Sequence, residues 1–151
     1  MTKPIPDGYH AVTPYLIVSG AGKALAFYAQ AFGAIERERM QDPGGKVRHA
    51  EIVIGGACVM LADEHPEIGA LGPLSVGGSP VGIHLYVEDV DTVVARSVAA
   101  GATLTRPVAD QFYGDRVGCI TDPFGHRWYI ATRKEDLSSE EIHHRAAAQG
   151  H

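Results

Sequence analysis

Two segments of the chain share one pattern of apolar and polar positions. An alternating strand-like run, an amphipathic helix and a glycine follow each other in residues 13–34 and again in residues 82–103. Apolar residues at positions i, i+3, i+4 and i+7 predict a helix with one buried face. These positions are held by Leu25, Tyr28, Ala29 and Phe32 in the first helix and by Val90, Val93, Val94 and Val98 in the second. The pattern therefore predicts a repeated strand–helix unit.

Three further strand-like runs follow each predicted helix. They cover roughly residues 34–40, 46–54 and 57–62 in the first half, and roughly 102–106, 115–121 and 126–132 in the second. Gly55-Gly56 predicts a hairpin turn. Asp89 has the position of a helix N-cap, and Gly33 and Gly101 suit the left-handed conformation that ends a helix. Each half is thus predicted to run strand–helix–strand–strand–strand.

These signals divide the chain into two modules, a connection and a tail. The first module covers residues 1–62 and the second covers 81–133. The connection, residues 63–80, is rich in glycine and proline and is predicted to hold no regular element. In the tail, residues 134–151, Ser138 and Glu141 form a capping-box pattern that predicts a short exposed helix.

Composition and charge restrict the partners. The net charge is −5 and no cluster of Lys and Arg is present, so a nucleic-acid partner is not expected. No apolar run approaches the roughly 20 residues that span a bilayer, and the first residues lack the apolar core of a signal peptide. We therefore expect a cytoplasmic protein without a membrane partner. Cys58 and Cys119 lie in strand-like runs and are expected to be reduced, buried thiols rather than a disulfide.

Five sequence stretches carry a resemblance to a known family: FYAQAFGA, HAEIVIGG, IHLYVEDVD, AAGATLTRPVADQFYGDR and DPFGHRWYIAT. In this order they resemble the vicinal oxygen chelate superfamily, which includes glyoxalase I, fosfomycin- and bleomycin-resistance proteins and extradiol dioxygenases. More narrowly they are similar to its PhnB-like branch, over about residues 9–133. The resemblance implies an α+β fold of two βαβββ modules, with curved mixed sheets around a shared cavity, and a homodimer.

The resemblance also places the metal ligands of the metal-dependent members. Those positions correspond here to Thr13, Met60, Gly82 and Tyr129, and none is a histidine or a carboxylate. A divalent transition metal binds imidazole, carboxylate or thiolate groups. We therefore predict no metal at these positions and no cofactor. A displaced divalent metal site built from His49, Glu51 and His84 stays open as an alternative.

Strand alternation assigns side chains to the two sheet faces. Leu16 and Leu85 are predicted to pack under the helices. The candidates on the cavity side are catalytic His84, Glu51 and His49, and substrate-binding Tyr15, Tyr86, Tyr129 and Met60. A carboxylate inside a strand needs a partner, so a His49–Glu51 or a His84–Glu51 pair is expected, either as a general base with its orienter or as a structural pair.

The segment 107–116 is predicted to be a loop that adds two substrate-binding candidates, Tyr113 and Arg116. An aromatic ring beside a guanidinium suits a planar or anionic ligand. The alternative is a solvated loop in which Asp115 and Arg116 pair with each other.

The leading functional hypothesis is a glyoxalase-like small-molecule-binding protein with metal-independent acid–base chemistry from the His, Glu and Tyr side chains of the cavity. Its substrate is not defined by the sequence. Two rivals stay open. One is a metal-dependent lyase or isomerase of the glyoxalase type with displaced ligands, and the other is a non-catalytic protein that sequesters a drug, as bleomycin-resistance proteins do.

Overall fold

A computed structural model describes residues 2–151 of the chain, which form two compact units. Unit 1 comprises the chain up to Pro80 together with residues 123–126. Unit 2 comprises residues 81–122 and 127–151. Each unit has its own four-stranded mixed sheet and its own helices.

Unit 1 contains the elements β1 (Tyr15–Val18), α1 (Ala21–Phe32), β2 (Ile35–Gln41), β3 (Val47–Ile54), β4 (Ala57–Asp63), a 3-10 turn (Pro66–Ile68) and α2 (Pro73–Val76). The strand order is β1-β4-β3-β2, in which β1 and β4 are parallel and the other neighbours are antiparallel. A parallel pair needs a crossover connection. Helix α1 begins that crossover and packs on one face of the sheet.

The buried carboxylate of Asp63 fixes the start of α1 on the sheet. The N-cap residue of α1 is Gly20, which has no capping side chain. One oxygen of Asp63 instead accepts hydrogen bonds from the backbone N–H groups of Gly20 at 2.9 Å and Ala21 at 2.7 Å. Its other oxygen accepts from the N–H of Val47 at 2.8 Å. The end of β4 thus satisfies the free amides of the first helical turn.

Unit 2 contains β5 (Gly82–Tyr86), α3 (Val90–Ala99), β6 (Thr103–Asp110), β7 (Asp115–Thr121), β8 (Arg127–Arg133) and α4 (Ser139–Ala148). Its strand order, β5-β8-β7-β6, reproduces that of unit 1, again with one parallel and two antiparallel pairs. The predicted α+β fold with two βαβββ modules is therefore confirmed.

Several local predictions are also confirmed. The N–H of Thr92 donates to the Asp89 carboxylate at 3.3 Å at the start of α3, and Gly33 ends α1 with a φ of 70°. Ile54 pairs with Ala57 across the Gly55-Gly56 turn. The Glu141 N–H donates to the Ser138 hydroxyl at 3.1 Å, and α4 has no buried residue. Both cysteines are buried free thiols.

The predicted helix stripes are wrong at their edges. Ala29 is exposed in α1, and Val98 is 42% exposed in α3. Ser97 lies on the buried face of α3 in place of Val98, because its hydroxyl donates to the Val93 carbonyl at 2.7 Å and so needs no partner outside the helix.

Two segments predicted to be irregular contain regular structure. Residues 63–80 hold the 3-10 turn and α2, which starts with Pro73 at a position where a helix tolerates proline and ends at Gly77 with a φ of 97°. Strand β6 continues to Asp110, through part of the predicted loop 107–116. Its pairing with β7 shifts register between Arg106 and Ala109. Pro107 lies in that irregularity, because proline lacks the N–H that a regular ladder needs.

None of the helices formed by residues 2–151 is long and apolar enough to cross a membrane.

Candidate functional site

The sheet of unit 1 carries predicted site residues on the face that points away from α1. Tyr15, Met60 and Glu51 are direct neighbours across β1, β4 and β3. Tyr15 is 47% exposed, whereas its neighbour Leu16 is 5% exposed and packs in the core. The predicted alternation of faces therefore holds in this strand.

Three of these side chains form one hydrogen-bonded chain. The Nε2 atom of His49 lies 2.8 Å from a carboxylate oxygen of Glu51, and its Nδ1 atom lies 2.9 Å from the hydroxyl oxygen of Tyr15. An ionised carboxylate can only accept, so Nε2 carries the proton and donates it to Glu51. In the neutral imidazole, Nδ1 then accepts from the Tyr15 hydroxyl. Of the two pairs that the sequence left open for Glu51, the geometry shows the one with His49.

The N-terminal segment reaches the same face. The hydroxyl of Tyr9 donates to the second carboxylate oxygen of Glu51. The thiol of Cys58 donates to the Gly8 carbonyl at 3.3 Å, and the Arg37 guanidinium lies 5.7 Å from the centre of the Tyr9 ring. Sequence reasoning missed Tyr9 because the segment before β1 has no periodicity that would assign its side chains to a face.

The electrostatics of this face keep Glu51 ionised and the tyrosines neutral. The hydrogen bond from Tyr9, followed by that from His49, lowers the pKa of Glu51 below its ordinary value of 4.5. The hydrogen bond between Tyr9 and Glu51 also raises the pKa of Tyr9 to about 12. Burial, with a smaller contribution from the Glu51 charge, raises the pKa of Tyr15. At neutral pH the hydrogen-bonded chain therefore has the Glu51 carboxylate as an acceptor at one end and the Tyr15 phenol as a donor at the other.

The sheet of unit 2 presents a row of different chemistry at equivalent positions. Arg106, Cys119, Tyr129 and His84 are direct neighbours across β6, β7, β8 and β5. The His84 ring lies 6.4 Å from the Tyr129 ring at an interplanar angle of 11°, and 4.7 Å from the ring of Tyr86. Within the described part of the chain, residues 2–151, these ring contacts are the interactions found for the His84 imidazole.

A groove of about 590 Å³ continues this face towards the tail helix. It is lined by Tyr86, Tyr113, Asp115, Arg133 and Ile142. The Tyr86 hydroxyl donates to the buried Asp115 carboxylate at 2.7 Å, and this hydrogen bond raises the pKa of Tyr86. Burial raises the pKa of Tyr113. Two predicted substrate-binding tyrosines thus line one groove, which is within the size range of small-molecule sites.

Arg116 forms a different pair from the one considered in the sequence. Its guanidinium donates to Asp91 at 2.8 and 3.1 Å and to Asp110 at 3.1 Å, while Asp115 accepts from Tyr86. The Asp115–Arg116 pair that the sequence left open as an alternative does not form. The hydrogen bonds to Asp91 and Asp110 raise the pKa of Arg116, so its donors are already engaged on the surface of unit 2.

The residues present do not fit a metal at the positions where the superfamily implies one. A methyl group on Gly82 would lie 2.2 Å from a ring carbon of Tyr129, so that ring fills the space a ligand side chain at position 82 would need. Thr13 and Met60 add no carboxylate, imidazole or thiolate. Among residues 2–151, no group of three or more His, Cys, Asp or Glu side chains is placed to hold a metal ion.

Comparisons with protein sequences found one matching family and several relatives. The sequence pattern of the Glyoxalase/Bleomycin resistance protein/Dioxygenase superfamily matches residues 9–130. The uncharacterized protein Rv0887c of Mycobacterium tuberculosis is 41% identical over 143 residues, which cover 93% of this chain and 84% of the relative. The uncharacterized protein At5g48480 of Arabidopsis thaliana is 30% identical over 129 residues, which cover 79% of this chain and 75% of the relative.

Solved structures show the same fold. The crystal structure of TioX from Micromonospora sp. ML1 has a TM-score of 0.63 at 26% identity and covers 85% of this chain and 100% of its own. The structure of the Arabidopsis protein has a TM-score of 0.66 at 29% identity, with 82% and 98% covered. The PhnB protein from Bacillus cereus, described as a putative 3-demethylubiquinone-9 3-methyltransferase, has a TM-score of 0.63 at 19% identity, with 82% and 99% covered. The chain belongs to the Glyoxalase/Bleomycin resistance protein/Dioxygenase superfamily.

Proposed function

We propose that the protein binds a small molecule and catalyses a metal-independent proton transfer on it, in an isomerisation or an elimination. The observation that carries this proposal is the hydrogen-bonded chain from Glu51 through His49 to Tyr15. A histidine whose tautomer is fixed by a carboxylate is the usual arrangement of a general base and its orienter.

The proposed step moves one proton along this chain. A substrate C–H beside a carbonyl gives its proton to the Tyr15 oxygen as the Tyr15 proton passes to Nδ1 of His49. The C–H electron pair moves to the carbonyl oxygen, which becomes an enolate, and Glu51 stabilises the imidazolium that forms. In an α-hydroxy ketone, return of the proton to the former carbonyl carbon, with transfer of the hydroxyl proton to the enolate oxygen, isomerises the substrate. In an elimination, a leaving group on the next carbon departs with its electron pair and takes the proton from Tyr15 as His49 returns the Tyr15 proton. Both reactions are redox-neutral and consume no other reactant.

Of the other predicted site residues, one receives a binding role in this proposal. Met60 lies next to both Tyr15 and Glu51, where it supplies an apolar contact for the substrate. His84, Tyr86 and Tyr129 belong to unit 2 and take no part in the proposed step, and the contacts of His84 are with rings rather than with a carboxylate that would orient it. The proposal also includes a homodimer, which the family resemblance implies, and a cytoplasmic location, which the sequence pattern favours.

A second candidate function is sequestration of a drug-like molecule without turnover. The groove lined by Tyr86 and Tyr113 favours it, because aromatic walls with one buried carboxylate suit tight binding of an organic ligand. Sequestration predicts a stable complex whose ligand is recovered unchanged, whereas the leading proposal predicts turnover.

The test measures, by NMR, the incorporation of solvent deuterium into a panel of small α-hydroxy ketones and other carbonyl compounds. The protein is first treated with a chelator to remove metal. We expect exchange without metal and a loss of about 100-fold or more in His49→Gln, the usual size of a general-base contribution. Tyr15→Phe should lose a similar factor. His144→Gln on the exposed tail helix is the control and should exchange like wild type.

Exchange that requires added metal would favour the metal-dependent rival with displaced ligands. Exchange that is equal in wild type and His49→Gln would contradict the proposed role of His49.

A further inference from the structure

We propose that unit 2 carries a binding site for an aromatic anion, such as an aryl carboxylate, on the sheet face that points away from α3. Two guanidinium groups, Arg106 and Arg127, hold the anionic group, and the rings of Tyr129 and His84 contact the aromatic part. We call these four residues the arginine–aromatic face. The proposal goes beyond the function proposed for unit 1 and uses none of its residues.

The strand register brings the four side chains onto one face. Arg106 pairs with Cys119, Cys119 pairs with Tyr129, and Tyr129 pairs with His84. Directly opposed residues on neighbouring strands point to the same side of the sheet, with Cβ atoms about 5 Å apart. Arg127 lies two residues before Tyr129 in β8, so it is on the same side, about 7 Å along the strand.

The two arginines differ from the other arginines on and near this face because no carboxylate pairs with them. Arg116 pairs with Asp91 and Asp110, and Arg133 pairs with Asp136 at 2.6 Å. Among residues 2–151, Arg106 and Arg127 form neither an ion pair nor a hydrogen bond through their side chains. The chain as a whole carries a charge of −5, so this pair is a local positive site on an acidic protein.

The residues that lie beneath these groups are apolar. Val117, Cys119 and Ala131 are 5%, 7% and 0% exposed and form a buried cluster against which Tyr129 packs. Burial raises the pKa of the Cys119 thiol, and the charges of Arg106 and Arg127 oppose that rise. Aromatic rings beside two unpaired guanidinium groups suit a ligand with an aromatic body and an anionic end.

The glycine at position 82 shapes the aromatic side of the site. With no Cβ, Gly82 allows the Tyr129 ring to lie directly over the β5 backbone, where an alanine methyl group would lie 2.2 Å from the ring. The Tyr129 ring is thereby held nearly parallel to His84, at 11°. Both rings present surface on which an aromatic ligand can stack.

The nearest carboxylate on this face does not oppose an anion there. Asp115 lies four residues before Cys119 in β7, about 14 Å along the strand, and its carboxylate accepts a hydrogen bond from Tyr86. Arg127 therefore lies at one end of the face, Arg106 lies level with the rings, and Tyr86 lies towards the other end. A ligand with a carboxylate at one end and a hydroxyl at the other matches this arrangement.

The test is isothermal titration of the whole protein with benzoate and 4-hydroxybenzoate, against benzyl alcohol and benzylamine as neutral and cationic probes of similar shape. We expect measurable binding of both carboxylates at concentrations up to about 10 mM, and binding about tenfold weaker for benzyl alcohol. Benzylamine should bind more weakly still. Binding of benzoate should weaken as salt is raised, because the two arginines are exposed.

Arg106→Gln and Arg127→Gln should each weaken benzoate binding about tenfold, the loss expected for one charge-assisted hydrogen bond. Arg116→Gln is the matched control, since it removes one positive charge from the same unit but from an ion-paired position, and it should change affinity by less than about twofold. His49→Gln should bind benzoate like wild type, so the outcome is separate from that of the proton-transfer proposal. The arginine substitutions are at exposed positions, and a circular dichroism melt checks that they fold.

Three results would overturn the proposal: no binding of either carboxylate in this range, benzylamine binding as well as benzoate, or equal affinities for wild type and both arginine variants.

Discussion

The two sheets have the same strand order and the same pairing directions, yet the faces that point away from their helices carry different chemistry. Glu51 of unit 1 and Cys119 of unit 2 are equivalent, because Glu51 pairs with the residue of β4 that also pairs with β1, Met60, and Cys119 pairs with the residue of β8 that also pairs with β5, Tyr129. Tyr15 corresponds in the same way to His84. One scaffold therefore supports an acid–base chain in unit 1 and an arginine–aromatic face in unit 2.

The difference shows which positions the scaffold constrains. Residues under the helices are apolar in both units, for instance Leu61 and Ile130, which are both 0% exposed. Residues on the opposite face of each sheet do not contact the helix of that unit, so they can change without loss of the fold. Function in this fold must accordingly be argued from the individual face and not from the architecture.

The largest expected effect tests the shared scaffold. Leu61→Ala and Ile130→Ala remove equivalent fully buried side chains, so each should lower the free energy of unfolding by about 3 kcal/mol. Urea denaturation measures both. Leu104→Ala, at a position that is 45% exposed, serves as the control and should cost less than about 1 kcal/mol. A small effect at only one of the two buried positions would break the equivalence of the units.

The next effect concerns the close contact in unit 2. Gly82→Ala forces its methyl group against the Tyr129 ring and should cost about 2 kcal/mol of stability, the usual effect of overpacking. A second substitution, Tyr129→Leu, should remove much of that cost, which a double-mutant cycle measures. Gly22→Ala in α1 meets no atom within 4 Å and should be neutral or stabilising. Additive effects of the Gly82 and Tyr129 changes would contradict the contact.

The acid–base chain of unit 1 should appear in the pH dependence of stability. The pKa of Glu51 is lowered in the folded state, so its stabilising contribution is present above its ordinary pKa of 4.5 and is lost as the pH falls through the folded value. Glu51→Gln should therefore reduce the loss of stability below about pH 4.5 and lower stability by about 1 kcal/mol at neutral pH. Urea denaturation between about pH 3 and about pH 7 checks this. If the variant lost stability in acid as wild type does, the Glu51 contacts would be excluded.

The smallest effect is expected at the paired arginine of unit 2. Arg116→Gln removes exposed ion pairs to Asp91 and Asp110 and should change the free energy of unfolding by less than about 1 kcal/mol. A thermal melt at low and high salt measures it, and the difference from wild type should shrink as salt is raised. A larger, salt-independent loss would mean that Arg116 has a structural role beyond these pairs.

The sequence predicted the faces because a strand alternates with a period of two residues. That single rule separated Leu16 from Tyr15 and assigned His49 and Glu51 to one face. It could not find Tyr9, which lies in an irregular segment and reaches Glu51 only through the tertiary fold.

Two other misses have local causes. Ser97 was not expected in the core because serine is polar. Its hydroxyl can be buried because it donates a hydrogen bond to its own helix. The strand predicted over residues 102–106 continues through Pro107 to Asp110, so part of the predicted loop 107–116 belongs to the sheet. Proline marks an irregularity in a strand and not always its end.

The central claim is that His49 is fixed between a proton acceptor, Glu51, and a proton donor, Tyr15. Nitrogen-15 NMR of the histidine side chains tests it most directly, because the two ring nitrogens have different shifts when protonated and unprotonated. The account predicts that neutral His49 carries its proton on Nε2, with Nδ1 unprotonated, and that Glu51→Gln or Tyr15→Phe loosens this preference. A proton on Nδ1 of neutral His49, or a tautomer mixture in wild type that neither substitution alters, would contradict it.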